Sequence, residues 1–67
     1  MKFEFGVCYT FFSAQGNPVK HRIIAHSVEE MLEWKRKIAE VGYMYEGTQK
    51  REANKYNNLY DGWTWVC

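Results

Sequence analysis

The sequence predicts an α+β domain in which one helix packs across an antiparallel sheet of four or five strands, in the order β-β-α-β-β. Three observations support this prediction. Residues 2–12 place apolar side chains at alternate positions, a capped stretch has the period of an amphipathic helix, and the other segments are β-prone between turn formers. The chain has 67 residues, which is room for one domain covering residues 1–67.

The first predicted strand covers residues 2–12 and carries an aromatic face, because successive strand side chains point to opposite sides. The side chains of that face are Phe3, Phe5, Val7, Tyr9 and Phe11. Turn formers in residues 13–18 then predict an antiparallel hairpin to a second strand at residues 19–26. Both faces of this second strand are mixed in character, so its pattern does not indicate which face is the inner one.

The one clear helix is predicted over Ser27–Val41. Ser27 and Glu30 have the spacing of a capping box, and Gly42 suits the position just beyond a helix end. The apolar side chains cover about half of the helix circumference. They are Val28, Met31, Leu32, Trp34, Ile38, Ala39 and Val41.

Lys35 falls inside the apolar arc of this helix. We expect its stem to pack there while its ammonium group reaches the rim. The alternative is that the arc is too wide for one sheet. Trp34 and Val41, at its edge, would then dock on a partner or on a second copy of the chain.

The remainder of the chain predicts a third strand, a loop and a hairpin. The third strand covers residues 43–49, and residues 50–58 are polar, with three asparagines and four charged side chains. We predict that this polar stretch is a flexible or functional loop. In residues 59–66 the pair Asp61-Gly62 stands between β-prone residues, which is typical of a tight hairpin.

Charge and cysteine content exclude several classes of function. Nine basic and eight acidic residues leave a net charge of +1. This balance excludes a DNA mimic and does not supply the basic surface of a duplex-DNA binder. The two cysteines, Cys8 and Cys67, fit a reducing cytoplasm better than a disulfide-stapled secreted domain, with a Cys8–Cys67 bridge as the alternative.

We expect neither a signal peptide nor a membrane-spanning segment, and we expect a cytoplasmic location. Lys2 and Glu4 interrupt the first apolar run almost at once. The longest uncharged stretch, residues 5–19, contains several polar residues and turn formers.

No set of residues has the spacing of a catalytic or metal site. His21 and His26 are an odd number of positions apart on a predicted strand, so they point to opposite faces, whereas metal ligands usually come in closely spaced pairs. Cys8 and His21 could meet across the hairpin, but no orienting carboxylate or oxyanion donor is evident. The glycines are isolated, so the chain has no phosphate-binding loop. We predict no catalytic, cofactor-binding or metal-binding residues and no enzymatic activity.

Aromatic residues give the strongest indication of function. The chain has twelve, and eight of them are Tyr or Trp. A domain of this size buries only about 60% of its unfolded surface, so several must lie at the surface, where Tyr and Trp often anchor protein interfaces. We predict that a larger protein or protein complex is bound by Lys50, Arg51, Tyr56, Tyr60, Trp63 and Trp65.

Two alternatives to this protein interface stay open. Single-stranded nucleic acid or RNA can stack on exposed sheet aromatics beside basic loop residues. A homodimer could also complete the small core through edge strands or the wide helix face.

Three parts of the chain resemble small bacteriophage proteins. They are the aromatic strand Phe3–Phe12, the strand leading into a Ser-capped acidic helix in residues 23–31, and the Trp-rich residues 62–67. The likeness is to short host-takeover proteins that inhibit bacterial RNA polymerase and to anti-CRISPR proteins. It implies a stoichiometric inhibitor that blocks a host defence or transcription complex by covering a surface. It transfers no individual site residue.

Overall fold

A computed structural model of the chain describes residues 2–66. The elements, in chain order, are β1 (Phe3–Phe12), β2 (Pro18–Ala25), α1 (Val28–Glu40), β3 (Met44–Glu52) and β4 (Thr64–Trp65). The sheet order is β2-β1-β3-β4, and each neighbouring pair is antiparallel. The predicted α+β class is confirmed, with one helix and a sheet of four strands in the described residues, the last strand being short.

The sheet has two different faces. Side chains directly opposite each other in neighbouring strands share a face, so Val7 lies with Ile23 and Thr48. The helix α1 packs over this side, which we call the helix face, and Val7 and Thr48 are fully buried there. The opposite side, which we call the far face, carries Cys8 and its cross-strand partner Arg22. The aromatic side of β1 is therefore the side that the helix covers.

The start of α1 follows from its capping sequence. Ser27 has extended backbone, and its Oγ accepts a hydrogen bond from the Glu30 N–H at 3.1 Å. Glu29 and Glu30 lie in the first turn and Lys37 in the last, which suits the helix dipole at both ends. The predicted capping residue is therefore confirmed.

Replacing this cap should weaken the fold by a measurable amount. We expect Ser27→Ala to lower the free energy of unfolding by about 1 kcal/mol, because the substitution leaves a helix N–H without its acceptor. Urea denaturation followed by circular dichroism measures the change, and Ser27→Asp, which keeps an acceptor, is the matched control. Equal midpoints for Ser27→Ala and the native chain would contradict the capping role.

The described part of the chain has a thin apolar core. Its buried apolar residues are Val7, Ala25 and Ile38, whereas twelve large apolar side chains are exposed. The exposed ones are Phe3, Phe12, Val19, Val28, Leu32, Val41, Tyr43, Met44, Leu59, Tyr60, Trp65 and Val66. The packing of the helix on the sheet thus leaves much of the apolar surface of the described residues exposed to solvent.

The apolar arc of α1 likewise has more apolar side chains than the sheet covers. Ile38 is buried against the sheet, while Val28, Leu32 and Val41 are each more than half exposed. Lys35 is exposed and places its Nζ 4.9 Å from the centre of the Tyr45 ring. Its ammonium group therefore lies close to an aromatic side chain of β3.

Two predictions about the last third of the chain are wrong. Residues 50–52 continue β3, because they pair with residues 3–5 of β1, and this long-range pairing outweighs their loop-like composition. The predicted hairpin around Asp61-Gly62 does not form. Trp65 and Thr64 pair instead with β3, opposite Gln49 and Lys50.

Candidate functional site

Residues 53–66, which we call the C-terminal segment, are joined to the sheet through Arg51. The side chain of Arg51 is only 5% exposed, and its Nε donates to Glu4 Oε1 at 2.5 Å. Its Nη1 donates to the main-chain oxygens of Asn58 and Asp61, both at 2.8 Å. One guanidinium group therefore ties β1 and β3 to the segment through charge-assisted hydrogen bonds, which are stronger than neutral ones.

A second arginine holds the same segment from β2. Arg22 donates from Nε to Gln49 Oε1 at 3.1 Å and from Nη1 to the main-chain oxygen of Leu59 at 2.7 Å. Both guanidinium groups lie over the Trp63 ring, with their central carbons 4.9 Å (Arg22) and 4.5 Å (Arg51) from its centre. We call Arg22, Arg51 and Trp63 the clamp. Each such cation–π contact contributes about 0.5–2 kcal/mol, so the clamp orders the C-terminal segment without a large apolar core.

The segment also orders its own backbone. Asn58 Oδ1 accepts from the N–H groups of Tyr60 and Asp61 at 2.7 and 2.9 Å, and Asn58 Nδ2 donates to Asp61 Oδ2 at 2.9 Å. A short polar side chain that bonds the backbone ahead of it is a typical turn former. Tyr60, within this turn, is 83% exposed.

Tyr56 lies at the other end of the segment beside two cations. Its ring centre is 5.4 Å from the guanidinium carbon of Arg51 and 5.9 Å from Lys55 Nζ. Lys55 forms an ion pair with Glu52 at 3.2 Å. The hydrogen bond to Glu52 and the charge of that carboxylate raise the pKa of Lys55.

Close packing of the segment depends on Gly62. Its φ is +83°, and a Cβ at this position would overlap the Tyr56 ring. Backbone strain alone costs about 1–3 kcal/mol for a residue other than glycine in this region. We expect Gly62→Ala to be more destabilising than Gly16→Ala, since Gly16 has the same φ but open space around it. Urea denaturation of both variants tests this, and equal losses would contradict the packing role.

A groove of about 710 Å³ lies on the far face beside the C-terminal segment. Cys8, Arg22 and Gln49 belong to the sheet side of the groove, and the exposed Tyr60 and Trp65 belong to the segment side. The full set of lining residues is Cys8, Tyr9, Lys20, His21, Arg22, Ile24, Glu46, Gln49, Leu59, Tyr60 and Trp65, of which Tyr9 and His21 belong by strand register to the helix face. The groove thus combines aromatic surface with cationic and amide groups.

Three of the predicted partner-binding residues hold the C-terminal segment in place. Arg51 is buried in β3, and Tyr56 and Trp63 are half-buried against it. Trp63 Nε1 also donates to the main-chain oxygen of Leu59 at 2.9 Å. These side chains therefore contact one another and the main chain of the C-terminal segment, and they do not line the groove.

The other three predicted residues are exposed but do not form one surface. Tyr60 and Trp65 line the groove and are 83% and 57% exposed. Lys50 pairs with Phe5 on the helix face, and its Nζ lies 5.0 Å from the centre of the Phe3 ring. Lys50 is therefore separated from the groove by the sheet.

The six residues predicted to bind a partner include none of those that β1 and β2 contribute to the groove, although the basic side chains of Lys20 and Arg22 stand out in the sequence as candidates for binding nucleic acid. Cys8, Lys20 and Arg22 share the far face because Cys8 pairs with Arg22, and Lys20 is two residues from Arg22. The only signal in the sequence that Lys20 and Arg22 share a face was their alternate spacing. It became informative once the register with β1 was known.

A second cluster of aromatic side chains lies on the helix face. The rings of Tyr9 and Tyr43 are parallel with centres 5.5 Å apart, and Phe11 and His21 contact this pair. A shallow cleft of about 330 Å³ extends from Tyr9 and Tyr43 towards α1. We call these four residues the aromatic cluster.

The described residues set limits on the chemistry of the chain. Within residues 2–66 no group of three His, Cys, Asp or Glu side chains could hold a metal ion. In the same range no helix is both long and apolar enough to cross a membrane.

The thiol of Cys8 is 3.7 Å from Gln49 Oε1 and 3.8 Å from the Gly6 carbonyl oxygen. The alternative Cys8–Cys67 bridge involves Cys67, which lies outside the described residues.

The fold and the groove together define a small α+β domain whose far face is partly covered by its own C-terminal segment. No family model, curated protein or solved structure was found to match this chain.

Proposed function

We propose that this chain is a non-enzymatic protein-binding module that occludes a surface of a larger protein through the groove on the far face. The observation that supports this most strongly is the exposure of Tyr60 and Trp65 on a segment that the clamp orders in advance. Tyr and Trp supply much of the binding energy at protein interfaces. Anchors that are already ordered also lose less conformational freedom on binding.

Charge in the groove favours a partner loop with an acidic residue. Lys20 is exposed, and among the described residues it takes part in no ion pair. The groove lining also contains the carboxylate of Glu46, which accepts a hydrogen bond from the neutral hydroxyl of Thr10 at 3.0 Å, so the attraction for an acidic residue is local to Lys20. A carboxylate beside Lys20 would add specificity and a faster encounter more than affinity.

The thin core supports a partner-dependent function. Exposed apolar surface on a small domain commonly marks an interaction site. A partner that binds only the folded chain would also stabilise it by mass action. A chain with a small core and ordered, exposed aromatic side chains is well suited to being stabilised by the partner that it binds.

The resemblance to phage inhibitors suggests which partner to test first. Under this proposal the target is a host defence or transcription complex in the bacterial cytoplasm, and inhibition follows from covering a functional surface. The near-neutral charge of the chain favours occlusion over imitation of DNA.

Single-stranded nucleic acid or RNA is the second candidate ligand, and the aromatic cluster favours it. Stacked Tyr9 and Tyr43 resemble the platforms on which bases stack. The basic residue lining the neighbouring cleft, Lys37, already pairs with Glu33 at 3.5 Å and lies over Trp34. The cluster therefore offers less free positive charge than nucleic-acid binding usually requires.

Affinity purification from a bacterial lysate, with and without nuclease, distinguishes these two functions. We expect one stoichiometric protein partner that survives nuclease treatment and is lost with Trp65→Ala. Tyr43→Ala, on the opposite face, is the matched aromatic control and should retain the partner. Recovery of nucleic acid that depends on Tyr43 instead of Trp65 would overturn the proposal in favour of the aromatic cluster.

A further inference from the structure

We propose that the outer edge of β2 binds an extended acidic segment of another protein as an additional strand of the sheet. Four residues of β2 also line the groove. The inference goes beyond the groove because it assigns the outward-facing backbone groups of this strand to a different mode of recognition. Strand addition uses backbone hydrogen bonds for affinity and alternate side chains for specificity.

The edge of β2 is open along much of its length. β2 is the first strand in the sheet order and pairs on one side only, with β1. Its eight residues begin with an exposed stretch, Pro18–His21. In an antiparallel sheet the backbone groups of alternate residues point outwards from such an edge. At the opposite end of the sheet, β4 covers part of β3, and Val66 N–H donates to the Thr48 oxygen at 2.9 Å.

Charge on β2 selects against a second copy of the chain. The strand contains no acidic residue, and it carries Lys20, His21 and Arg22 in succession. Antiparallel pairing of two β2 strands centred on these residues would bring like charges opposite each other, which destabilises a sheet. Basic residues on an edge strand are a known protection against self-pairing.

The same charge favours an acidic partner strand. Lys20 lies on the far face opposite Thr10 of β1 and takes part in no ion pair among the described residues. A carboxylate next to it on an added strand would form a favourable cross-strand pair. On the helix face, Val19 is 36% exposed and Ile23 is half-buried, so apolar side chains of the added strand would pack beside them. The expected ligand therefore alternates acidic and apolar residues.

A peptide titration tests the proposal directly. The probe is a blocked peptide of alternating valine and glutamate, as long as the eight residues of β2, added to the isotope-labelled chain and followed by NMR. We expect amide shifts and slowed hydrogen exchange to concentrate in β2, with no response to the matched valine–lysine peptide. Lys20→Glu should weaken binding of the glutamate peptide by about 3- to 10-fold. Arg36→Glu on the helix, a charge reversal at a different site, should leave it unchanged.

Backbone methylation separates strand pairing from simple charge attraction. Two versions of the glutamate peptide carry N-methyl groups on alternate amides, in one phase or the other. Because alternate amides of an added strand face β2, one phase should abolish binding and the other should preserve it. Trp65→Ala should bind the peptide normally, so loss of groove function and loss of edge binding are separable.

Three results would overturn the inference. The first is a failed peptide comparison: the two methylated peptides bind equally well, or the glutamate peptide binds no better than the lysine peptide. The second is a response confined to the groove residues outside β2, such as Gln49, Tyr60 and Trp65, with none at the β2 amides. The third is protection of the β2 amides that rises with chain concentration in the absence of peptide, which would assign the edge to a second copy.

Discussion

Replacing Arg51 with methionine is expected to lower the free energy of unfolding by about 3–5 kcal/mol, the usual result of removing one partner from a buried ion pair. The substitution leaves the carboxylate of Glu4, which is 14% exposed, without its cation. It also removes the donor to the main-chain oxygens of Asn58 and Asp61. With so thin a core, we expect this single change to release the C-terminal segment and unfold a large fraction of the chain.

Urea denaturation followed by circular dichroism and tryptophan fluorescence measures the effect. Arg36→Met is the matched control, because its ion pair with Glu40 is about 60% exposed and such pairs contribute about 0.5 kcal/mol or less. Adding Glu4→Gln to the Arg51→Met chain should recover part of the loss by removing the unpaired charge. Equal destabilisation by Arg51→Met and Arg36→Met would contradict the clamp.

The largest effect on binding is expected from the two exposed aromatic side chains of the groove. Tyr60→Ala and Trp65→Ala should each weaken partner binding by about 2–4 kcal/mol, which is about 30- to 1,000-fold. Because both side chains are more than half exposed, we expect the free energy of unfolding to change by about 0.5 kcal/mol or less. The two variants should thus separate binding from folding.

Calorimetry with the purified partner, together with urea denaturation, provides both measurements. Trp63→Ala is an informative comparison, since loss of the clamp tryptophan should reduce stability first and binding only as a consequence. Tyr43→Ala tests whether removal of an exposed aromatic side chain outside the groove also weakens partner binding. If Tyr60→Ala and Trp65→Ala both retain full affinity, the groove is not the binding surface.

Local sequence was sufficient for the elements whose signals are themselves local. The alternation of residues 2–12 reflects the two faces of one strand, and Ser27 with Glu30 reflects a hydrogen bond within one helix turn. Both features were predicted with nearly correct boundaries. They need no information about the rest of the chain.

The end of β3 and the path of the C-terminal segment were not predictable in this way. Residues 50–52 have the composition of a loop, and they are a strand because β1 provides their backbone partners. The Asp61-Gly62 pair has the pattern of a hairpin turn, but Arg51 and Arg22 bind main-chain oxygens in this region. These competing contacts come from distant residues, so no window of sequence contains them.

The sequence by itself therefore determined the α+β class, the helix with its cap, and an excess of Tyr and Trp beyond what a small core can bury. Only the tertiary structure decided which of the aromatic side chains remain exposed to solvent. Two arginines from separate strands converge on Trp63 and leave it half-buried, while Tyr60 and Trp65 remain exposed beside the groove. The physical reason is that the exposure of a side chain depends on strand register and on the positions of cationic side chains, and both are set by contacts between residues far apart in the sequence. Residue type and the local period of apolar residues do not depend on such contacts.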